Sequence, residues 1–232
     1  MFRRKHHQVI ESVLDQFDGD ILRKHHCYFG GGTAIALLQD EYRESVDIDF
    51  LVSSKEHYRD LRNLLTDVQG IYAIAKKGAK LILARDIMAD QYGIRTAIQS
   101  MDVRVKFEIV LEGRIEFDNP GVKDFIGNIT TLTRVDLLAS KLLANSDRWN
   151  DAAVYSRDII DFAMLVPNNV ELKTALTKAY LAYGDSIHRD LHKALNRLLT
   201  RDGHLEECMK MLKIEIPKAF LWQRLKDLIG KF

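Results

Sequence analysis

The sequence has little cysteine and no long apolar run. Cys27 and Cys208 are its two cysteines, and two widely separated thiols make a poor disulfide framework. No uninterrupted apolar run exceeds five residues, and the charged amino-terminal stretch has no signal-peptide core. These absences argue against a disulfide scaffold and a membrane-spanning helix. We therefore expect a soluble protein in the cytoplasm.

An excess of one charge is also missing. The chain carries 34 Lys+Arg and 33 Asp+Glu, which gives a formal net charge of +1. No global attraction to nucleic acid or membrane follows from that balance, although a local basic face remains open. The 232 residues suit one large domain or two small ones.

Glycine and proline become scarce in the second half. Between residues 128 and 202 the chain has one glycine, Gly184, and one proline, Pro167, and its apolar residues recur at helical spacing. We therefore predict a mixed α/β domain over residues 1–127 and an all-helical domain over residues 128–232.

The first half mixes helix and strand signals. A helix is predicted over about residues 6–24, and "CYFGGG" predicts a short buried strand that ends in a tight turn. Thr33 is predicted to cap the next helix. "VDIDFLVS" predicts a strand and residues 55–67 a helix. Three further extended segments are "KLILARD", "YGIRTAIQ" and "MDVRVKFEIVLEG".

The stretch "YFGGGTAIALLQDEYRESVDIDFLV" combines a glycine turn with a close pair of acids. Gly31 and Gly32 let the backbone approach a bulky anion, and a helix beginning at Thr33 offers free N–H groups to it. Asp47 and Asp49 are expected on one strand face, where they could share a Mg²⁺ ion. A phosphate cradle beside a metal-binding pair suits nucleotidyl transfer.

A third carboxylate is expected on a neighbouring strand. In "MDVRVKFEIVLEG" the apolar residues alternate with polar ones, and Glu108 is the first candidate metal ligand. Lys106 and Arg104 share its face, and Lys106 is a candidate for nucleotide binding. Asp102 is the alternative acid.

The motif Gly31-Gly32-Thr33, thirteen residues, then Asp47-Ile48-Asp49-Phe50 resembles the signature of the polymerase-β-type nucleotidyltransferases. The fuller string "GGTAIAL…YRESVDIDF" resembles the AbiEii toxin nucleotidyltransferases of type IV toxin–antitoxin systems. A bare D-x-D pair also occurs in sugar-nucleotide glycosyltransferases, so the acids alone leave that class open.

A second match lies downstream, in "DLLASKLLANSDRW" and "SRDIIDFAML". Lys141, Arg148, Arg157, Asp158 and Asp161 hold the positions of the family's helical motif. The resemblance implies that Lys141 and Arg148 bind the triphosphate and that Asp158 or Asp161 assists catalysis. The alternative is a solvated helix face for the cations and a structural salt bridge for the acids.

Arg43 and Ser45 precede the acidic pair in a predicted loop. They are candidates for contacts with the triphosphate. An exposed arginine and a capping serine are the alternative interpretation.

The predicted fold is α/β (α+β): a polymerase-β-like nucleotidyltransferase domain with a small mixed sheet, followed by a helical domain. The predicted enzyme needs Mg²⁺ and moves a nucleoside monophosphate from an NTP to an acceptor. The resemblance implies tRNA or a protein as acceptor and a cognate antitoxin as partner. The alternative is a catalytically inactive nucleotide-binding or protein-interaction module.

Overall fold

The computed structural model describes residues 2–231. This part of the chain divides into two compact units. The first, called here the sheet unit, runs up to Leu38 and resumes over Ser45–Thr133. The second, called the helical unit, comprises Gln39–Glu44 and the chain from Arg134 onward. The domain boundary expected after residue 127 stays a prediction, because a compact unit is not by itself an independently folding domain.

The sheet unit has seven strands and four α-helices among its described residues. The strands are β1 (Tyr28–Phe29), β2 (Ile48–Val52), β3 (Ile82–Ala89), β4 (Gly93–Ser100), β5 (Val103–Leu111), β6 (Phe125–Ile126) and β7 (Ile129–Thr130). The helices are α1 (Lys5–Leu14), α2 (Gly19–Lys24), α3 (Gly31–Leu38) and α4 (Lys55–Thr66), with a 3₁₀ turn at Gly70–Ile74.

Five of these strands form one mixed sheet in the order β1-β2-β5-β4-β3. β2 and β5 are parallel, and the other neighbouring strands are antiparallel. β6 and β7 form a separate two-stranded sheet. The three extended segments expected in the middle of the chain are therefore confirmed as β3, β4 and β5.

One face of the mixed sheet covers an aromatic core. Phe17, Phe29, Phe50 and Phe107 are buried, with the rings of Phe17 and Phe107 centred 5.1 Å apart. Phe50 lies 5.6 Å from Phe29 and 5.7 Å from Phe107. Each such aromatic contact contributes about 0.5–1.5 kcal/mol beyond the area it buries. Because strand side chains alternate, the half-buried Asp49 of β2 lies on the opposite face.

The single helix predicted over about residues 6–24 is wrong, because the chain forms two helices there. α1 ends at Leu14, and the turn that follows places Phe17 in the core. Asp18 then caps α2, since its side chain accepts hydrogen bonds from the N–H groups of Asp20 and Ile21. A core aromatic and a new N-cap break the apolar periodicity.

α3 begins at Gly31, two residues earlier than expected. Thr33 is fully buried inside the first turn and does not act as the N-cap. Gly31 has a φ of +67° and still joins the helix, a backbone conformation that glycine adopts without a Cβ penalty. The glycine turn and the helix start therefore coincide.

The described residues of the helical unit form helices and connecting turns. The helices are α5 (Arg134–Arg148), α6 (Arg157–Met164), α7 (Asn169–Tyr183), α8 (Ser186–Thr200), α9 (His204–Met211) and α10 (Lys218–Ile229), with a 3₁₀ turn at Ala152–Val154. α5 packs against α6, α7 and α8. The predicted combination of a small mixed sheet and a following run of helices is confirmed.

The segment Gln39–Glu44 joins the helical unit through backbone hydrogen bonds. The N–H of Glu215 donates to the carbonyl of Tyr42 at 3.1 Å, and the N–H of Glu44 donates to the carbonyl of Leu212 at 3.3 Å. The ring of Tyr42 is buried. Among all the helices within residues 2–231, none is long and apolar enough to cross a membrane.

Candidate active site

The glycine turn lies directly against the acidic strand. The N–H of Gly30 donates to the carbonyl of Asp49 at 2.9 Å. A Cβ atom on Gly31 would lie 2.6 Å from Oδ2 of Asp49 and 3.0 Å from its Cβ. No real Cβ contact is that short, so the carboxylate occupies space that any side chain at position 31 would take. Gly32 follows in the first turn of α3 and is half-buried.

Asp47 and Asp49 flank the first residue of β2. Asp49 is on the strand, Asp47 comes immediately before it, and both are half-buried. Ile48 between them points into the core. The alternation of β2 therefore places the carboxylate of Asp49 on the face opposite the aromatic core, as the sequence predicts, and Asp47 lies one residue before the strand.

Glu108 lies beside Asp49. The two residues are register partners in the parallel β2–β5 pair, so their side chains project from the same face of the sheet. The alternative acid, Asp102, lies in the exposed β4–β5 turn, six residues from Glu108. A strand advances about 3.3 Å per residue, so Asp102 is well separated from Asp49 along β5.

Both carboxylate oxygens of Glu108 are already paired with cations. Nζ of Lys106 lies 2.6 Å from Oε2 of Glu108, and Nε of Arg95 lies 3.3 Å from Oε1. Arg95 is the register partner of Glu108 on β4 and also pairs with Asp90 at 2.8 Å. Sequence reasoning missed Arg95, although its position between Ile94 and Thr96 places it on the polar face of a half-buried strand.

Thr33 and Ser45 form one hydrogen-bonded unit with a buried histidine. The hydroxyl of Thr33 donates to Oγ of Ser45 at 2.8 Å. The N–H of Ser45 donates to Nε2 of His7 at 3.2 Å. This histidine is fully buried. These contacts fix the chain just before Asp47 to the first turn of α3, so both predicted residues position the acidic strand.

The helical unit contains a buried charge network, defined here as Arg43, Lys141, Arg148, Asp158 and Asp161. Nζ of Lys141 lies 2.8 Å from Oδ1 of Asp158 and 2.6 Å from Oδ2 of Asp161. Nε of Arg148 donates to Oδ2 of Asp158 at 2.7 Å. The two helices α5 and α6 are thus joined by charged side chains. For Asp158 and Asp161 this is the structural salt bridge that the sequence left open as an alternative, whereas Lys141 is buried and does not lie on a solvated helix face.

Arg43 completes this network from the segment Gln39–Glu44. Its Nε and one terminal nitrogen donate to the two oxygens of Asp161 at 2.7 Å and 2.9 Å. The other terminal nitrogen donates to the carbonyl of Glu44 at 2.8 Å. Its side chain is 4% exposed, and the hydroxyl of Tyr42 donates to Asp161 as well. The geometry therefore gives Arg43 the role of a structural anchor, and little of its side chain is accessible to solvent or to a ligand.

The cations of the network keep its two acids ionised. Burial alone would raise the pKa of Asp158, but Lys141 and Arg148 outweigh burial and hold that pKa well below its ordinary value. Burial is likewise outweighed at Asp161, where Arg43 and Lys141 lower the pKa. A carboxylate held in this way is a weak general base near neutral pH, because its conjugate acid forms only in strong acid. The network therefore suits positioning better than proton transfer.

A sheet that sets a glycine turn against an acidic strand, in a chain that continues as a helical unit, places the protein in the nucleotidyltransferase fold class. A family model described as the nucleotidyl transferase AbiEii toxin of type IV toxin–antitoxin systems matches residues 13–226. The chain belongs to this family, so the expected resemblance is confirmed. No curated protein and no solved structure matches the chain.

Proposed function

We propose that this protein is a Mg²⁺-dependent nucleotidyltransferase that moves a nucleoside monophosphate from an NTP to an acceptor, with tRNA as the first acceptor to test. Membership of the AbiEii family supports the reaction class. The observation that carries the proposal is the contact between Gly31 and the carboxylate of Asp49. It joins a backbone suited to phosphates with an acid suited to a divalent cation.

The residues present fit a magnesium ion whose remaining ligands come from the substrate. Within residues 2–231 no three His, Cys, Asp or Glu side chains are grouped as a closed metal site. Mg²⁺ is usually held by one or two carboxylates together with substrate phosphates, so Asp47 and Asp49 provide a suitable pair. Glu108 would be a third ligand only after it exchanged its contacts with Arg95 and Lys106 for the metal.

The reaction is an in-line displacement at the α-phosphorus of the NTP. An acceptor oxygen forms the new bond to phosphorus, the bond to the bridging oxygen breaks, and pyrophosphate leaves with that electron pair. Bound Mg²⁺ would offset the charge of the phosphates and favour the deprotonated acceptor oxygen. In this proposal Asp47 and Asp49 hold the metal, and Gly31 and Gly32 offer the helix start of α3 to the triphosphate.

The polar residues near the acids have supporting roles in the proposal. Ser45 and Thr33 hold the strand entry, and Lys106 sets the charge around Glu108. In the helical unit Arg148 is the member of the buried charge network best suited to phosphate, because 35% of its side chain is exposed. Lys141 and Asp158 then position Arg148.

A transfer assay tests this proposal. Purified protein is incubated with Mg²⁺, each α-³²P-labelled NTP in turn, and total tRNA, total RNA or a protein extract. Label should appear on one acceptor class with wild type and be lost with Asp49→Asn and Asp47→Asn. Asp20→Asn, a change at an exposed side chain, serves as the control. Label from γ-³²P-NTP should not transfer.

Two results would count against the enzyme. Tight NTP binding without transfer to any acceptor supports the inactive nucleotide-binding module instead. Transfer that persists in Asp49→Asn places the chemistry elsewhere in the chain.

If the toxin role holds, expression of wild type slows growth, Asp47→Ala relieves the effect, and co-expression of the cognate antitoxin relieves it as well.

A further inference from the structure

A basic groove lies in the sheet unit outside the site described above. It has a volume of about 730 Å³ and is formed by α4, the β3–β4 turn, the end of β5 and the chain that follows it. Lys55, Arg59 and Arg62 line it from α4. Their spacing puts them on one face of the helix, where the row extends about 10 Å at ~1.5 Å per residue.

The positive charges of this row are available to a ligand. Within residues 2–231 neither Lys55 nor Arg62 forms an ion pair, and Arg59 makes only an exposed contact with Asp60 at 3.8 Å. The carboxylate that lines the groove, Glu112, is bound instead by Arg114 at 2.6 Å. The residues that line the groove include four cations and one acid, so its wall has a net positive charge.

An exposed aromatic residue with a hydrogen-bonded backbone lies at the edge of the same groove. The side chain of Tyr92 is 64% exposed, yet its backbone is fixed on both sides. Its N–H donates to Oδ1 of Asp90 at 2.7 Å, and its carbonyl accepts from the N–H of Leu111 at 2.9 Å. The hydroxyl of Tyr58 on α4 donates to the carbonyl of Asp90 at 2.7 Å. Because this backbone is already ordered, a ligand that covers the ring would have to fix only the side-chain rotamer of Tyr92.

We propose that this groove binds a single-stranded RNA segment of the acceptor. Phosphates would lie along Lys55, Arg59 and Arg62, and a base would stack on Tyr92. A row of cations next to an exposed aromatic ring is the usual combination for single-stranded nucleic acid. The row is longer than one phosphate, which favours an oligonucleotide over a mononucleotide. The proposal rests on the proposed function only in naming the ligand an acceptor, since RNA binding needs no catalysis.

Fluorescence anisotropy with a labelled single-stranded RNA of about 12 nucleotides tests the groove in the absence of NTP. The variant Lys55→Gln/Arg59→Gln/Arg62→Gln should weaken binding at least about tenfold and reduce the slope of log K against log salt by about 2, given roughly 0.7 per phosphate contact. Tyr92→Ala should weaken binding several-fold, about 5-fold or more, and leave that slope unchanged.

The matched control removes the same charge elsewhere on the sheet unit. Lys76, Lys77 and Lys80 are exposed and do not line the groove. Their triple Gln variant should bind within about twofold of wild type, because long-range charge is largely screened at moderate salt. Melting temperatures within a few degrees of wild type establish that all variants are folded. Equal loss in groove and control variants would overturn the proposal.

Competitors separate the proposal from its alternatives. AMP should displace the RNA only at far higher concentration, and displacement by AMP as readily as by unlabelled RNA would mean a mononucleotide pocket. Stronger competition by poly-glutamate than by RNA would mean a site for acidic protein.

If wild type binds RNA through the groove but no transfer occurs, the proposed function fails alone. If transfer occurs and the groove variants bind and transfer like wild type, this inference fails alone.

Discussion

Gly31 and Asp49 touch so closely that a single methyl group at position 31 would collide with the carboxylate. The site of that methyl group lies 2.6 Å from Oδ2 of Asp49. Gly31 also has a φ of +67°, where other residues are strained. The position of the acid thus depends on the absence of a neighbouring side chain.

Gly31→Ala should therefore abolish nucleotidyl transfer and lower stability. Strain at positive φ costs about 1–2 kcal/mol, and the collision displaces the carboxylate of Asp49 in addition. The matched control is Gly78→Ala, because Gly78 has a φ of +84° and nothing within 4 Å of an added Cβ. Gly78→Ala should lower the melting temperature because of the strain at positive φ, but it should retain nucleotidyl transfer. Full transfer by Gly31→Ala would mean that the contact has no part in the reaction.

The buried charge network should be sensitive to the loss of one charge. Asp161→Asn leaves the buried Arg43 and Lys141 without their shared acid, and breaking a buried pair costs about 3–5 kcal/mol. Asp20→Asn removes an acid from the exposed pair with Arg23, which should cost less than about 1 kcal/mol. Urea denaturation measures both changes. Similar small losses in the two variants would contradict the structural role of Asp161.

The parts of the fold that depend on neighbours in sequence were predictable. Alternation over Val103–Leu111 predicted β5, and the same alternation put Glu108 on the face opposite Phe107. The glycine turn before α3 likewise depends on residues that are adjacent in sequence. The helix α3 nevertheless begins at Gly31, two residues earlier than predicted, because Gly31 has a positive φ. Glycine permits this conformation, but the sequence does not reveal that Gly31 adopts it.

Relationships between distant residues were not predictable from one sequence. Asp49 opposite Glu108 depends on the register of two strands that are far apart in the chain. Arg43 was expected in a loop near the acids, yet it pairs with Asp161, 118 residues away. Nothing local to "EYRES" indicates that this segment packs with the later helices. Long-range packing, rather than propensity, decided both.

The network also predicts a loss of stability in acid. The pKa values of Asp158 and Asp161 are lowered by folding, since their cations outweigh burial. The unfolded chain therefore binds more protons in acid, and stability rises with pH there. The contribution is complete above the unfolded pKa of about 3.9 and is lost as pH falls through the folded values.

The difference in unfolding free energy between wild type and Asp158→Asn measures this effect. It should be largest above about pH 5 and narrow steadily below about pH 4, because Asp158 of the unfolded wild-type chain then takes up a proton while the folded chain keeps this carboxylate ionised. Asp20→Asn, at an exposed site, provides the baseline. A difference that stays constant down to about pH 2 would contradict the assignment of the acid sensitivity to Asp158.

Glu108 and Lys106 should affect the magnesium requirement in opposite directions. If Glu108 joins the metal, Glu108→Gln removes a ligand and should raise the half-saturating Mg²⁺ concentration about tenfold or more. Lys106→Gln frees one oxygen of Glu108 from its 2.6 Å ion pair and should lower that concentration several-fold. Lys76→Gln is the control, since it removes an exposed lysine away from Glu108. Initial rates of label transfer against Mg²⁺ concentration give the comparison. If both Glu108→Gln and Lys106→Gln follow the wild-type curve, then Glu108 has no part in binding the metal and serves to hold Arg95 and Lys106 on the sheet.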